Sequence, residues 1–223
     1  MSQSDARPRL PTVKNDVPDP PNFLYLASQS PRRRQLLVQI GVRHELLLAG
    51  EGEDTEALEA VAADEAPGDY VQRVTLAKLA AARARLLARG LPSAPILCAD
   101  TTVALAARIF GKPADDEDAA HMLQALSGQT HRVFTAVAVV EGPHGAFEPQ
   151  LRLQVSSVRF RVLSADEIVR YVSSGEAQGK AGAYAIQSQA AAWVQHVEGS
   201  HSGIMGLPLF ETAQLLGPLG WRF

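Results

Sequence analysis

Three groups of residues in this chain have types and spacings suited to chemistry. The first is Ser28-Gln29-Ser30-Pro31-Arg32-Arg33-Arg34, between a short apolar run and a helical pattern. A helix N-terminus presents free N–H groups and a partial positive charge, which suits an anion. Two serine hydroxyls add to this, and arginine forks match phosphate oxygens in bidentate fashion. The same spacing equally describes a capped surface helix with solvated arginines. The second group is Ala99-Asp100-Thr101-Thr102. A carboxylate closing a buried apolar strand lies at the C-terminal edge of a sheet, where α/β ligand sites gather. Such an aspartate can bind a metal or accept a proton from water, and taken alone it also fits a turn. The third group is Lys78, Lys112 and Lys180, each among small residues. Any one of them reads as a solvated lysine. Together with Arg32, Arg33 and one or two carboxylates they suit a polyphosphate–metal complex. The acidic stretch Glu51-Gly52-Glu53-Asp54 offers a metal ligand or simply a solvated loop.

Other motifs fail on their own chemistry. Gly175 to Ala181 resembles a phosphate-binding P-loop, but Ala181 stands where Ser or Thr is needed and the glycine spacing is one residue short. No G-x-G-x-x-G follows a strand. Gly199-Ser200-His201-Ser202-Gly203 has His201 where a nucleophile elbow needs serine. His44, His121, His131, His144, His196 and His201 form no i,i+4 pair with a helical Glu, which argues against zinc. His131 reads as a loop-ordering residue, and Tyr184 and Trp193 as core.

These residues need elements to hold them. Phe23 to Ala27 reads as a buried strand, followed by a helix capped by Ser30, opened by Pro31 and ended near Ile40 and Gly41. Glu45–Leu48 reads as a strand, 50–64 as an acidic loop, and Asp69–Arg89 as a long Ala-rich helix. Ile96–Ala99 is a strand ending at Asp100, and Asp115–Leu126 a helix with an acidic first turn. His131–Val140 and Leu151–Val162 read as two longer strands. Ser164 and Glu167 form a capping box for a helix that stops at Gly175. Ala183–Ile186 and Ala192–Val197 are short strand candidates, and Leu209–Leu216 a last helix. The mixture points to an α/β or α+β sheet protein.

Residues 1–22 hold five of the 14 prolines and few large apolar residues, which predicts a disordered tail outside one domain over 23–223. A chain of 223 residues, 46% hydrophobic, builds a core without staples, and the single Cys98 excludes a disulfide framework. A net charge of −3 argues against a polynucleotide or an anionic membrane as partner. No apolar run approaches the ~20 residues of a bilayer span, and no apolar signal core opens the chain. A cytoplasmic protein with a small-molecule partner is expected.

In combination the segments resemble the Maf family of nucleoside triphosphate pyrophosphatases. The matching pieces are Leu26-Ala27-Ser28-Gln29-Ser30-Pro31-Arg32-Arg33, Ala99-Asp100-Thr101-Thr102-Val103, Gly111-Lys112-Pro113 and Leu126-Ser127-Gly128-Gln129-Thr130-His131. Lys180-Ala181-Gly182-Ala183-Tyr184-Ala185-Ile186-Gln187 and Gly206-Leu207-Pro208-Leu209 follow. Each piece is weak alone, but six in family order over about residues 23 to 217 make a specific match.

The resemblance implies an elongated mixed β-sheet flanked by helices, of the Maf/ITPase-like kind, with two lobes around a central cleft. It implies hydrolysis of a nucleoside triphosphate to monophosphate and pyrophosphate, a divalent metal cation (Mg²⁺ or Mn²⁺) and a homodimer. Asp100 matches the family's catalytic proton acceptor and metal carboxylate. Glu53 falls at an acidic metal-site position, where the local order Glu53-Asp54 replaces the usual Asp-Glu. Lys78, Lys112 and Lys180 match lysines around the phosphates, and Ser28, Arg32 and Arg33 the phosphate-binding turn. Arg32, Thr101 and Gln187 match the branch similar to dTTP/UTP pyrophosphatases, and a Gln amide can pair with a uracil or thymine edge. Cys98, Gly179, Ala185 and Ser188 are mild departures. Two other readings stand beside this one: a non-catalytic nucleotide-binding regulator of cell division, and a house-cleaning enzyme for modified pyrimidine nucleotides.

Overall fold

The computed structural model describes residues 23–223 except 51, 54–56 and 145. The expected tail, and Glu51 and Asp54 of the acidic stretch, lie outside the described residues. Seven strands form one mixed sheet. They are β1 (Leu24–Leu26), β2 (His44–Leu46), β3 (Ile96–Leu105), β4 (Arg108–Phe110), β5 (Thr130–Val140), β6 (Gln150–Phe160) and β7 (Val194–Glu198). The order is β2-β1-β3-β5-β6-β7, with β4 paired to β3 off this path. β1 runs parallel to β2 and β3, and the remaining pairs are antiparallel.

Helices α1 (Pro31–Gln39), α2 (Pro67–Ala88), α3 (Asp116–Leu126), α4 (Ala165–Ser173), α5 (His201–Met205) and α6 (Leu209–Leu216) complete the fold. The predicted starts hold where side chains cap them. Ser30 accepts from the Arg33 N–H with Pro31 in the first turn, and Ser164 and Glu167 close a capping box.

The two faces of the sheet have separate cores. Leu97, Ala99, Val137 and Val139 pack on one face with Leu36 and Leu37 of α1 and Leu215 and Leu216 of α6. Ile96, Cys98, Ala138 and Val140 pack on the other with Leu79, Ala82 and Leu86 of α2. A third cluster gathers α3 and α4 around Val133, Val158 and Phe160 at the far end of β5 and β6. The space between this end and the first two cores is the cleft.

Two expectations change. β3 does not end at Asp100 but continues to Leu105, because Thr101–Leu105 extends the ladder with β5 and turns back through β4. Asp100 is therefore a mid-strand residue opposite Ala136, not a residue at a strand end. Ala183–Ile186 is not a strand. Gly182 and Ala183 have φ of +67° and +60°, a left-handed backbone no strand accommodates, and a 3₁₀ turn spans Ala181–Ala183. The segment around His201, rejected as a nucleophile elbow, forms the short helix α5, capped by Ser200.

Candidate active site

Period-2 alternation along β3 sends Asp100 and Thr101 to opposite faces of the sheet. Asp100 shares its face with Ile96 and Cys98 and meets α2; Thr101 shares its face with Leu97 and Ala99 and meets the α1 side. β1 pairs with β3 only at Ile96 and Leu97, and β4 begins only at Val103. The edge of β3 between them, through Ala99 and Thr101, is left open, and the cleft lies at this gap. It encloses about 600 Å³ and is lined by the Ser28–Arg33 turn, Asp100, Thr101, both Lys78 and Lys112, and the 178–187 segment.

On the α2 side the geometry follows from helix periodicity. Tyr70, Val71, Val74, Thr75, Leu79, Ala82 and Leu86 form the buried stripe of α2, and Lys78 lies on that stripe. Its ammonium is therefore carried to the sheet, where Nζ donates to Asp100 Oδ1 at 2.6 Å and to Glu59 Oε1 at 2.6 Å. Burial would depress the Lys78 ammonium, but the Asp100 and Glu59 carboxylates outweigh it and hold its pKa above the ordinary lysine value. Lys112, just after β4, donates to both Glu59 oxygens at 3.0 Å. Burial likewise opposes charge on Glu59, yet its hydrogen bonds and attraction to the two lysines keep its pKa below the usual carboxylate value.

On the α1 side Arg33 spans the cleft wall. Its Nε donates to the Gly206 carbonyl at 2.7 Å, Nη1 to Ser28 Oγ at 3.0 Å and Nη2 to Thr101 Oγ1 at 3.4 Å. Thr135 on β5 donates to the Gly203 carbonyl at 2.8 Å and lies 3.0 Å from Thr101 Oγ1. The Ser30 cap completes the turn. Arg32 and Lys180 approach the cleft without a carboxylate among the described residues. Burial lowers the pKa of each, and the neighbouring Arg33 adds to this for Arg32, as Arg32 does for Lys180. Lys180 instead donates to the Glu176 and Gln178 carbonyls. Neither Arg32 nor Lys180 makes an ion pair among the described residues, and the Glu176 carboxylate acts on Lys180 only as a longer-range attraction.

Gln187 lines the same cleft with an exposed side chain that takes no hydrogen-bond partner among the described residues. Beneath its loop, buried Tyr184 and His131 are joined by a 2.8 Å hydrogen bond, Tyr184 OH to Nε2. Phe160 and Trp193 stack edge-on around them. The structure thus brings Ser28, Arg32, Arg33, Lys78, Asp100, Thr101, Lys112, Lys180 and Gln187 to one cavity.

Glu53 is not among the residues lining it. Both of its oxygens are held by Arg85, whose Nη2 also donates to Oε2 at 2.5 Å, and this clamp brings its pKa down to about 2. Arg85 is itself buried and donates to the Leu47 carbonyl at 2.9 Å, so Glu53 neutralises a structural arginine. Sequence reasoning gave no role to Glu59, Tyr70, Thr135 or the Gly206 carbonyl. The stripe on α2 could have flagged Tyr70, eight residues before Lys78; nothing in the acidic loop distinguished Glu59 from its neighbours.

For a divalent cation, Asp100 and Glu59 present hard oxygen donors on one ammonium. That set fits Mg²⁺ or Mn²⁺, which take one or two carboxylates and complete their shell with water and phosphate oxygens. No group of three or more His, Cys, Asp or Glu gathers among the described residues.

The comparisons with known proteins now bear on this cleft. Residues 23–219 match the model of the family described as Maf-like protein. The chain belongs to the Maf family. Family members similar to it include a protein of Cupriavidus pinatubonensis, 60% identical over 91% of this chain and 99% of its own length. Another, from Albidiferax ferrireducens, is 58% identical over 90% and 98%, and a third, from Ralstonia nicotianae, 61% over 88% and 94%. All three carry the name dTTP/UTP pyrophosphatase. A solved structure of a HAM1 protein from Coxiella burnetii is similar over 87% of this chain and 98% of that one, at 16% identity and a TM-score of 0.46. No helix among the described residues is long and apolar enough to cross a membrane.

Proposed function

We propose that this Maf protein is a nucleoside triphosphate pyrophosphatase that hydrolyses dTTP and UTP to the monophosphate and pyrophosphate. The observation that carries this is the convergence of Lys78, Lys112, Arg32, Arg33 and Lys180 on a cleft whose floor is Asp100. The names of its relatives support the pyrimidine substrates.

The chemistry needs a water placed against the α-phosphorus and a stabilised leaving group. A bond forms from the water oxygen to the α-phosphorus, and the bond from that phosphorus to the bridging oxygen of the β-phosphate breaks. Asp100 takes the water proton; its position on a paired strand fixes the direction of that transfer. Lys78, charged beside it, and Lys112 hold the pyrophosphate oxygens. Ser28, Arg32, Arg33 and the free N–H groups of α1 hold the remaining phosphate. Gln187 reads the base edge. A bound Mg²⁺ or Mn²⁺ would neutralise phosphate charge and polarise the water. Asp100 and Glu59 would hold it, and Glu53 would join only by leaving Arg85.

We read residues 23–223 as one domain, supported by the single sheet that carries every core cluster. A cytoplasmic homodimer and clearance of modified pyrimidine nucleotides complete the reading, by family resemblance. Pyrophosphate release from a panel of triphosphates with Mg²⁺ or Mn²⁺ tests it. Turnover of dTTP and UTP above GTP and ATP is expected; nucleotide binding without release from any of them would instead favour the non-catalytic regulator.

A further inference from the structure

Among the described residues, Glu59 is the one carboxylate that reaches Lys78 and Lys112 from outside the expected motifs. Its oxygens accept from Lys78 at 2.6 Å and from Lys112 at 3.0 Å, lysines carried by α2 on one side of the cleft and by the turn after β4 on the other. Its backbone is tied down. Tyr70 OH donates to the Glu59 carbonyl at 3.0 Å, and Arg73, itself held by a bidentate pair with Glu65, donates to the Ala60 carbonyl at 2.8 Å. Only the side chain is left to reach across.

We propose that Glu59 is a built-in stand-in for substrate phosphate: it occupies Lys78 and Lys112 while the cleft is empty and must give them up when a triphosphate binds. The proposal rests on the reading of the cleft as a triphosphate site. A carboxylate offers two oxygens sharing one charge, as a phosphoryl group offers them to the same ammonium groups. Both ammonium groups reach the same Glu59 oxygen, so they lie close enough to repel; Glu59 offsets that repulsion and holds Lys112 in place, while Lys78 also keeps Asp100. A phosphate entering the site therefore competes with an internal anion rather than finding bare charge. Glu59 thus sets how much phosphate charge a ligand must bring before it is held. A triphosphate or pyrophosphate displaces it, whereas a monophosphate, with fewer oxygens to offer, displaces it poorly.

The test is a calorimetric titration of the full chain with inorganic pyrophosphate in the absence of divalent metal. Glu59→Gln is expected to bind pyrophosphate roughly tenfold tighter than wild type, the scale of one lost competing charge contact. Glu59→Asp, one methylene shorter and unable to span both lysines, is expected to fall between. The exposed Glu198→Gln, which alters net charge equally but far from the cleft, controls for bulk electrostatics. In a Lys112→Met background the gain from Glu59→Gln is expected to shrink without vanishing, because Glu59 still competes at Lys78. Unchanged or weaker pyrophosphate binding by both Glu59 variants overturns the proposal, as does a gain of undiminished size in the Lys112→Met background. Wild-type hydrolysis of triphosphates is read separately. Its absence would sink the functional reading, whereas intact hydrolysis with no Glu59 effect would sink only this inference.

Discussion

Arg33 Nε donates to the Gly206 carbonyl at 2.7 Å, joining the turn at the start of α1 to the end of α5, 173 positions later in the chain. Gly206 is the C-cap of α5, with φ +119°, so the carbonyl that anchors the arginine is presented by a backbone only glycine adopts readily. With its other two nitrogens on Ser28 and Thr101, the guanidinium is a three-way brace in the wall of the cleft.

Arg33→Lys is therefore not conservative. The three N–H donors of an ammonium radiate from one atom and cannot span acceptors that Nε, Nη1 and Nη2 reach separately. Loss of two charge-assisted hydrogen bonds is expected to cost about 2–4 kcal/mol of stability and to raise KM for dTTP about tenfold or more. Urea denaturation and steady-state kinetics on the same preparation check both. A variant with wild-type stability would show that the brace carries no load.

Asp100→Asn is expected to cut pyrophosphate release by about 10²–10⁴-fold, the range for loss of a general base. The amide retains shape and the strand pairing with β5, so circular dichroism and the melting profile should remain near wild type. Appreciable turnover by this variant would remove Asp100 from the proton transfer.

Gln187→Ala is expected to act on selectivity. Its exposed side chain takes no hydrogen-bond partner among the described residues, so little change in stability is expected. Losing one base-edge pairing, worth about 1 kcal/mol, should lower the ratio of kcat/KM for dTTP over dGTP roughly fivefold. An unchanged ratio would place base recognition elsewhere.

His131 makes a prediction about pH. Burial pushes its imidazole down to about 4, from about 6.5 when unfolded. Between those values the unfolded chain binds a proton that the folded one refuses, so stability falls as pH drops from 6.5 toward 4. The loss approaches roughly 3 kcal/mol near pH 4, at 1.36 kcal/mol per unit, and above 6.5 this residue contributes no slope. His131→Asn should weaken the protein at pH 7, since Tyr184 loses its partner, and flatten the slope in this window. Urea denaturation at pH 7, 5.5 and 4.5 measures it; equal slopes in the two proteins would assign the effect to other groups.

Much of this was legible in the sequence because local chemistry governed it. Ser30 with Pro31, and Ser164 with Glu167, start helices by side-chain hydrogen bonds that depend on neighbours in the chain. The phosphate-site residues were legible because they occur in motifs. What escaped was decided at a distance. β3 runs past Asp100 because β4 and β5 are there to pair with it, which no local pattern announces. Ala183–Ile186 has strand-like composition, but a left-handed pair at Gly182 and Ala183 overrides it, at a point where any side chain on Gly182 would come within 3.0 Å of Val103. Glu53 and Glu59 are alike as letters in one acidic loop. One meets a buried arginine and the other two lysines, and only the folded chain tells them apart.

The gap in the ladder beside Asp100 bears on self-association as well. Unpaired strand edges invite foreign strands, and proteins blunt them by keeping them short or charged. Here the open stretch through Ala99 and Thr101 is closed off by β1 at one end and β4 at the other, so an incoming strand has too few residues to register against. The outer borders of the sheet are short too: three residues in β2, five in β7, the latter bearing His196 and Glu198. The molecule can therefore hold polar backbone open to a small ligand at its centre without offering a template for sheet growth.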